Sequence, residues 1–552
     1  MNGAVDVRGD TPGRSSGTGE PHPDYDADSP PLGPLVAALS ADLGAAGFRV
    51  AAIEALWDRG ADAESTHPGA ALRRGHRVPA LRALDRTTDA PALTALVRLF
   101  VLGVPVASAA LTAALPTLGL AGAEELGLVV VDRDDGGTVR PVADLRPCPF
   151  RDAAGEGEWW IASDPGELAI GGPLAEEHVL GVGGASMTLS GLLLQSHAGT
   201  TLDLGTGCGI QAMRAARFSD RVIATDISAR ALRYARLNAT LNGIDRIEFR
   251  LGSLYEPVAG ERFDRIVSNP PFVITPRQDG VPNYEYRDGG MVGDALVEAV
   301  VSGAAAHLEP GGIAQLLGNW EYRATGEGIG DGLERVAGWA DAAGLEYWIA
   351  ERERQDPSEY AETWIRDGGT RPGTPQFEAM HAAWLEDFAV RGVESVGFGY
   401  VLLRMPRAGA VPRLARAERL HGPLGDNPGG LGAHVAVVLA AADEVDALDD
   451  AGLRALRLEV APDVTEERHH WPGAEQPTVI LLRQGGGFAR AIDSGTGLAA
   501  LVGAADGELP LGVLSDAIAE LLGVDAHELW GELGPATREL VAGGLLRPVA
   551  AD

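Results

Sequence analysis

Three short clusters in this chain combine residue types that chemistry could use. Asn269-Pro270-Pro271-Phe272 sets a side-chain amide oxygen beside a proline carbonyl, on a turn from which two prolines remove competing N–H donors. Such a pair can accept both N–H bonds of a planar amine or amide nitrogen. That nitrogen is a poor nucleophile because its lone pair is delocalised. Holding its N–H groups partly localises the lone pair and aims it at an electrophile. Phe272 offers a flat face for a planar acceptor. No general base is required beyond this, since the proton can leave after transfer, and most of the acceleration would come from positioning.

The second cluster is Asp203-Leu204-Gly205-Thr206-Gly207-Cys208-Gly209, which follows a strand-like run and opens a helix. Glycine at every second position lets the backbone turn sharply and approach a ligand closely. A dinucleotide-binding fingerprint would need glycine at 210, where this chain has Ile210. The third cluster is Asp226-Ile227, at the tip of the next apolar run, where a carboxylate suits two ribose hydroxyls. A glycine-rich turn alone, or Asn-Pro-Pro-Phe alone, is ordinary loop chemistry. Their order along one alternating pattern is what makes them a candidate site.

Together the clusters resemble the class I S-adenosylmethionine-dependent methyltransferases, over roughly residues 174 to 325. The resemblance implies S-adenosylmethionine as cofactor. It places Asp203, Gly205, Thr206, Gly207 and Gly209 around the methionine part, and Asp226 with Ile227 at the ribose. Ser253 and Leu254 fall at the adenine edge, where many relatives have Asp instead of Ser253. Asn269, Pro270, Pro271 and Phe272 fall at the acceptor nitrogen, with Asn269 also at the cofactor. Two subfamilies compete. Gly289-Gly290, Gly293-Asp294 and His307 to Gly312 resemble the HemK-type release-factor glutamine methyltransferases, which usually carry Tyr in place of Phe272. Phe272 and Leu317 to Tyr322 resemble instead the ribosomal-RNA guanine methyltransferases. His178 to Ser186 would line the methionine and acceptor pockets in either case.

Elements must position these clusters. Between residues 151 and 405, apolar runs such as Thr201-Leu202-Asp203-Leu204, Val222-Ile223-Ala224 and Ile266-Val267 alternate with helical stretches, which predicts βαβ units and a parallel sheet. The expected fold is α/β, a Rossmann-like, seven-stranded class I methyltransferase domain over 151–405. It is flanked by a mainly helical, winged-helix-like domain over 32–150 and by an α+β domain over 406–552 with a winged-helix-like end. In the first flank, Val129 to Val131, the Asp134-Asp135-Gly136-Gly137 turn and Val139 to Val142 read as a hairpin. Residues 1–31, rich in Gly, Pro, Ser and Asp, read as a disordered tail.

Bulk composition bounds the partners. A net charge of −33 over 552 residues excludes a generally cationic nucleic-acid clamp, although the arginines from Arg214 to Arg236 could form a local basic patch. Two cysteines, Cys148 and Cys208, cannot make a disulfide framework, and no apolar leader opens the chain, so a cytoplasmic protein is expected. The uncharged stretch Leu99 to Ala123 is long enough to span a bilayer but is broken by Gly103, Pro105, Pro116 and Gly119, and reads as a buried helix pair. The leading reading is methylation of an exocyclic base amine of RNA. The second is a protein glutamine loop as acceptor, and the third a DNA-binding regulator that senses S-adenosylmethionine. No metal site or membrane contact is expected.

Overall fold

The computed structural model describes residues 33–60, 67–133, 137–171, 174–278, 281–282, 284–326, 328–409 and 413–549. The tail expected over 1–31 and the turn expected at Asp134-Asp135-Gly136 lie outside the described residues.

The centre is a twisted sheet. Its strands are β1 (Ala198–Leu204), β2 (Ser219–Asp226), β3 (Ile247–Leu251), β4 (Phe263–Ser268), β5 (Leu308–Thr325), β6 (Glu346–Gln355), β7 (Val393–Arg404) and β8 (Ala415–Arg419). They run in the order β8-β6-β7-β5-β4-β1-β2-β3. Pairs from β3 to β5 are parallel, β7 is antiparallel to both β5 and β6, and β8 lies parallel to β6 at the edge. Leu202, Leu204, Val222, Ile223, Ala224, Ile266 and Val267 are all buried. Burial on both faces is why these strands read as continuous apolar runs rather than alternating ones.

Helices α1 (Gly184–Leu192), α2 (Ile210–Ala215), α3 (Ala229–Leu241), α4 (Ala295–His307), α5 (Gly332–Ala342), α6 (Pro357–Asp367) and α7 (Pro375–Arg391) surround this sheet. The order reverses at β1, whose neighbours β2 and β4 feed connections to opposite sides. This is where a doubly wound sheet opens a ligand crevice at its carboxyl ends.

The sheet is larger than the seven strands expected. Among the described residues it has nine, because β8 adds to the edge beyond residue 405 and Gly328–Ile329 pairs back on β5. Ala415-Arg416-Ala417-Glu418-Arg419 is too polar to read as a strand, but its register beside Tyr347 to Glu351 supplies the backbone partners an edge strand needs. The boundary expected at residue 150 also falls inside an element. Asp144–Asp152 and Gly155–Ser163 form one long hairpin, and Asn238, fully buried on α3, clips it down. The Asn238 amide accepts the Ala162 N–H at 2.7 Å and donates to the carbonyls of Ala162 and Cys208, at 2.9 and 2.8 Å.

The N-terminal helices, beginning with Gly33–Ala45 and Val50–Gly60, share a core with α2 and α3 that includes Leu39, Phe100, Leu128, Trp159, Cys208 and Tyr234. The stretch 99–123 is not one helix. Gly103 at φ +65° ends the first turn, and Ser108–Ala114 and Gly119–Glu125 follow, with Leu99, Phe100, Leu111 and Leu115 buried. Among the described residues, Gly33–Asp58 is the one helical stretch long and apolar enough to cross a membrane by length and composition.

The C-terminal part has its own core, built on Leu431–Asp446, Thr496–Ala504, Leu511–Leu522 and Ala526–Gly543. It meets α1 through glycines: a Cβ at Gly432 would lie 2.2 Å from the Leu193 carbonyl oxygen.

Candidate active site

At the carboxyl end of β1, Gly205, Gly207 and Gly209 all have positive φ, at +77°, +55° and +90°. L-residues rarely adopt that region, so the loop needs glycine for conformation. Gly209 has a second reason: a Cβ there would sit 3.0 Å from Cα and Cβ of Ala235 on α3. The loop is tied to its neighbours. Asp226, at the tip of β2, accepts the Gly207 N–H at 2.8 Å and the Ser228 N–H at 2.9 Å. Ser268 closes β4 onto β1 by donating to the Leu204 carbonyl at 2.8 Å.

These strand ends open on a cavity of about 360 Å³. Gly205, Thr206, Gly207, Asp226, Ile227, Ser253, Leu254, Asn269, Pro270 and Pro271 line it, so ten of the thirteen residues expected at the site meet in one place. Leu254 holds φ +47°, a conformation that costs a non-glycine residue energy and is found at functional sites more often than elsewhere.

Three expected residues do not line the cavity. Gly209 caps α2 behind the loop. Asp203 is fully buried beneath it, where its Oδ2 accepts the Thr206 hydroxyl at 2.6 Å. Phe272 does not present a flat face to the cavity: its ring packs into the core, 5.5 Å from the Phe398 ring and 6.1 Å, edge-on, from Trp364. The strand-like pairing of Phe272 with Asp288 turns the side chain inward.

Two acceptors stand out. Asp203 Oδ1 and Asn269 Oδ1 are both buried and have no hydrogen-bond partner within the protein. A buried polar atom left unpaired is costly, and a donor-bearing ligand in the cavity would satisfy Asn269, which lines it. Burial pushes the Asp203 carboxyl up to about 7, against the opposing effect of the Thr206 hydrogen bond. Burial likewise raises the Asp226 carboxyl.

His178 to Gly181 and Ser186, from the expected lead-in segment, form part of the remaining wall, and a strap that the sequence did not single out, Tyr284 to Met291, forms another part. The strap is pinned to the Asn-Pro-Pro-Phe turn by Gly289 N–H to the Pro271 carbonyl at 3.1 Å and Val273 N–H to the Arg287 carbonyl at 2.8 Å. Its Glu285, Tyr286 and Asp288 line the cavity. Asp288 accepts from Arg277 at 2.6 Å, while its Oδ2 is another buried oxygen without a partner. His178, from the lead-in segment, stands edge-on to Tyr286 at 5.8 Å. Only the Gly289-Gly290 pair hinted at this strap, because its pairing with residues 271–273 is a long-range one. The charged side chains on the cavity wall are Asp226, Glu285 and Asp288, and no Lys or Arg lines it among the described residues.

A larger cavity, of about 570 Å³, lies on the other side of Ile210, between the 144–163 hairpin and α1. None of the expected residues lines it. Four of the arginines around α2 and α3 are in ion pairs: Arg214 and Arg217 with Asp152, Arg221 with Glu248, and Arg230 with Asp164.

Residues 182–327, which contain these strand ends and the turn, match the methyltransferase small domain. This part of the chain belongs to the class I S-adenosylmethionine-dependent methyltransferases. Ahead of the methyltransferase domain, residues 45–142 match a domain of unknown function, DUF7059. The chain is 42% identical over 131 residues to a release factor glutamine methyltransferase of Xylella fastidiosa, covering 22% of this chain and 47% of that relative. It is 36% identical over 121 residues to a ribosomal protein uL3 glutamine methyltransferase of Bradyrhizobium diazoefficiens, covering 20% and 38%. The chain thus spans about half, or less, of the length of these curated relatives. A solved T. thermophilus 16S rRNA N2 methyltransferase, in complex with AdoMet and guanosine, is 23% identical, with 36% of this chain and 52% of that chain covered and a TM-score of 0.25. That overlap is too slight to bear on the reaction.

Proposed function

We propose that this protein transfers a methyl group from S-adenosylmethionine to the side-chain amide nitrogen of a glutamine in a protein partner. The observation that carries the choice of acceptor is the cavity wall, whose charged members Asp226, Glu285 and Asp288 are all acidic. A polyanionic RNA strand would meet repulsion there and would find four of the arginines around α2 and α3 already in ion pairs. A glutamine amide brings no charge and two N–H donors. The names of the relatives aligned over this domain agree with that acceptor.

The residues present fit the cofactor. Asp203 supports Thr206 from beneath the loop and would act on a ligand ammonium through its charge, and Asp226 keeps lone pairs for ribose hydroxyls beyond its two backbone bonds. Ile227, 66% exposed, and Leu254 offer apolar surface to a base. When bound, S-adenosylmethionine supplies an electrophilic methyl group. Asn269 Oδ1 accepts one N–H of the incoming amide and the Pro270 carbonyl the other. Because Asn269 Oδ1 has no partner to give up, it is already oriented for the charge that develops on nitrogen. The strap from Tyr284 to Met291 walls off water and holds the turn in place.

The base-amine reading and the regulator reading remain the alternatives. A regulator that only senses the cofactor has no use for an open acceptor at Asn269. The test is tritiated methyl transfer into extracts of cells lacking this gene product, followed by digestion with protease or ribonuclease. Protease-sensitive label is expected. Label released by ribonuclease alone overturns the glutamine acceptor in favour of a base amine.

A further inference from the structure

The C-terminal part exposes an apolar stripe. On the helix Leu511–Leu522, Leu511, Leu514 and Ile518 point into the core. The opposite face carries Val513, Ala517 and Leu521 at four-residue spacing, one above another on the helix surface, with Leu509 and Val524 continuing it at either end. Val513 is 50% exposed and Leu521 85%, among the most exposed large apolar side chains described. A helix that buries one apolar face and shows a second is built for a partner.

The charge around the stripe says what kind. From 491 to 537 there is no Lys or Arg, while Glu508, Asp516, Glu520, Asp525 and Glu528 surround the stripe. Asp516 and Glu520 flank it on the helix itself; of the nearby cations, Arg454 pairs with Asp516 at 2.7 Å and Arg457 donates to the Glu508 carbonyl. A second copy of this chain, laid antiparallel on the stripe, would set those acids against themselves. A helix with an apolar face edged by Lys or Arg would bury the stripe and neutralise its rim.

We infer that the Leu509 to Val524 face docks a basic amphipathic helix of another protein. The surface lies on a different core from the methyltransferase cavity and makes no part of it. Its occupation is therefore a recruitment step, separate from the choice of acceptor nitrogen.

The probe is a fluorescein-labelled, 18-residue Leu/Lys amphipathic helix, titrated with the full chain and read by fluorescence anisotropy. A Leu/Glu peptide of the same pattern is the charge control. Leu521→Asp and Val513→Asp should each weaken the Leu/Lys peptide about tenfold or more, with unchanged circular dichroism. Val437→Asp, at an exposed apolar position on another helix, should leave it unchanged. Equal binding by wild type and Leu521→Asp, or equal binding of the Leu/Glu peptide, overturns the inference. A dimer in sedimentation equilibrium that Leu521→Asp abolishes overturns it in favour of self-association.

Discussion

Burial governs how Asp203 behaves. Its carboxyl, 3.8 in an unfolded chain, is pushed up to about 7 by removal from water, so between those values the folded chain holds a proton that the unfolded chain has released. Stability from this group is present at low pH and is lost as pH rises through about 7. A ligand ammonium bound above the loop works in the opposite sense, because its charge favours the ionised form. S-adenosylhomocysteine, titrated calorimetrically, should therefore bind about tenfold more tightly per pH unit as pH rises toward 7, and level off above it. Asp203→Asn should bind weakly and without that slope. At this scale the positions were legible: Asp203, Asp226 and Asn269 were singled out by their order along the alternating pattern, since a strand tip is where a parallel sheet delivers polar groups, while their roles came from the family resemblance. Phe272 was legible as a residue and misleading as a role, because a pairing across to Asp288 turns its ring inward.

Elements explain why the glycines are not equivalent. Gly205 needs only its positive φ and has open space around its Cβ position, whereas Gly209 has both positive φ and the Ala235 backbone at 3.0 Å. Gly209→Ala should thus cost more in urea unfolding than Gly205→Ala, about 1–3 kcal/mol for strain plus the added displacement of α3. Equal losses would mean that α3 yields freely. The strands from β1 to β5 were readable because both faces are buried and the runs are apolar. The edge strand β8 and the strap from Tyr284 to Met291 were not, since neither has a periodic apolar face and both exist through partners distant in sequence.

Both flanking parts pack into the cores of the central domain, the C-terminal one through Leu431, Val435, Val438, Leu439 and Phe488. Asn238 clips the 144–163 hairpin to the cofactor loop, so the N-terminal part shares its core with α2 and α3. The C-terminal part leans on α1 through Gly430 and Gly432, which admit the carbonyls of residues 191 to 193. Gly432→Val cannot keep that approach, with its Cβ 2.2 Å from the Leu193 oxygen. It should lower stability by about 1–3 kcal/mol and open a protease-sensitive site between β8 and Leu431. A proteolysis pattern identical to wild type would show that this contact does not hold the parts together. None of this was visible in composition. The net charge of −33 excluded only a generally cationic nucleic-acid clamp and left an RNA base amine as the leading acceptor; the acidic cavity wall, assembled by long-range pairing, is what moves the proposal to glutamine.

The most direct measurement is the mass and position of the transferred methyl group. Extract proteins from cells lacking this gene product should be treated with wild-type chain or Asn269→Ala, digested, and sequenced by mass spectrometry. The account predicts a single added methyl on a glutamine side chain with wild type. With Asn269→Ala, the rate should fall about 10²–10³-fold, while S-adenosylhomocysteine affinity stays within about threefold. A methylated glutamine formed equally fast by Asn269→Ala would contradict the proposed role of Asn269, and a methyl group found on a base instead would contradict the acceptor.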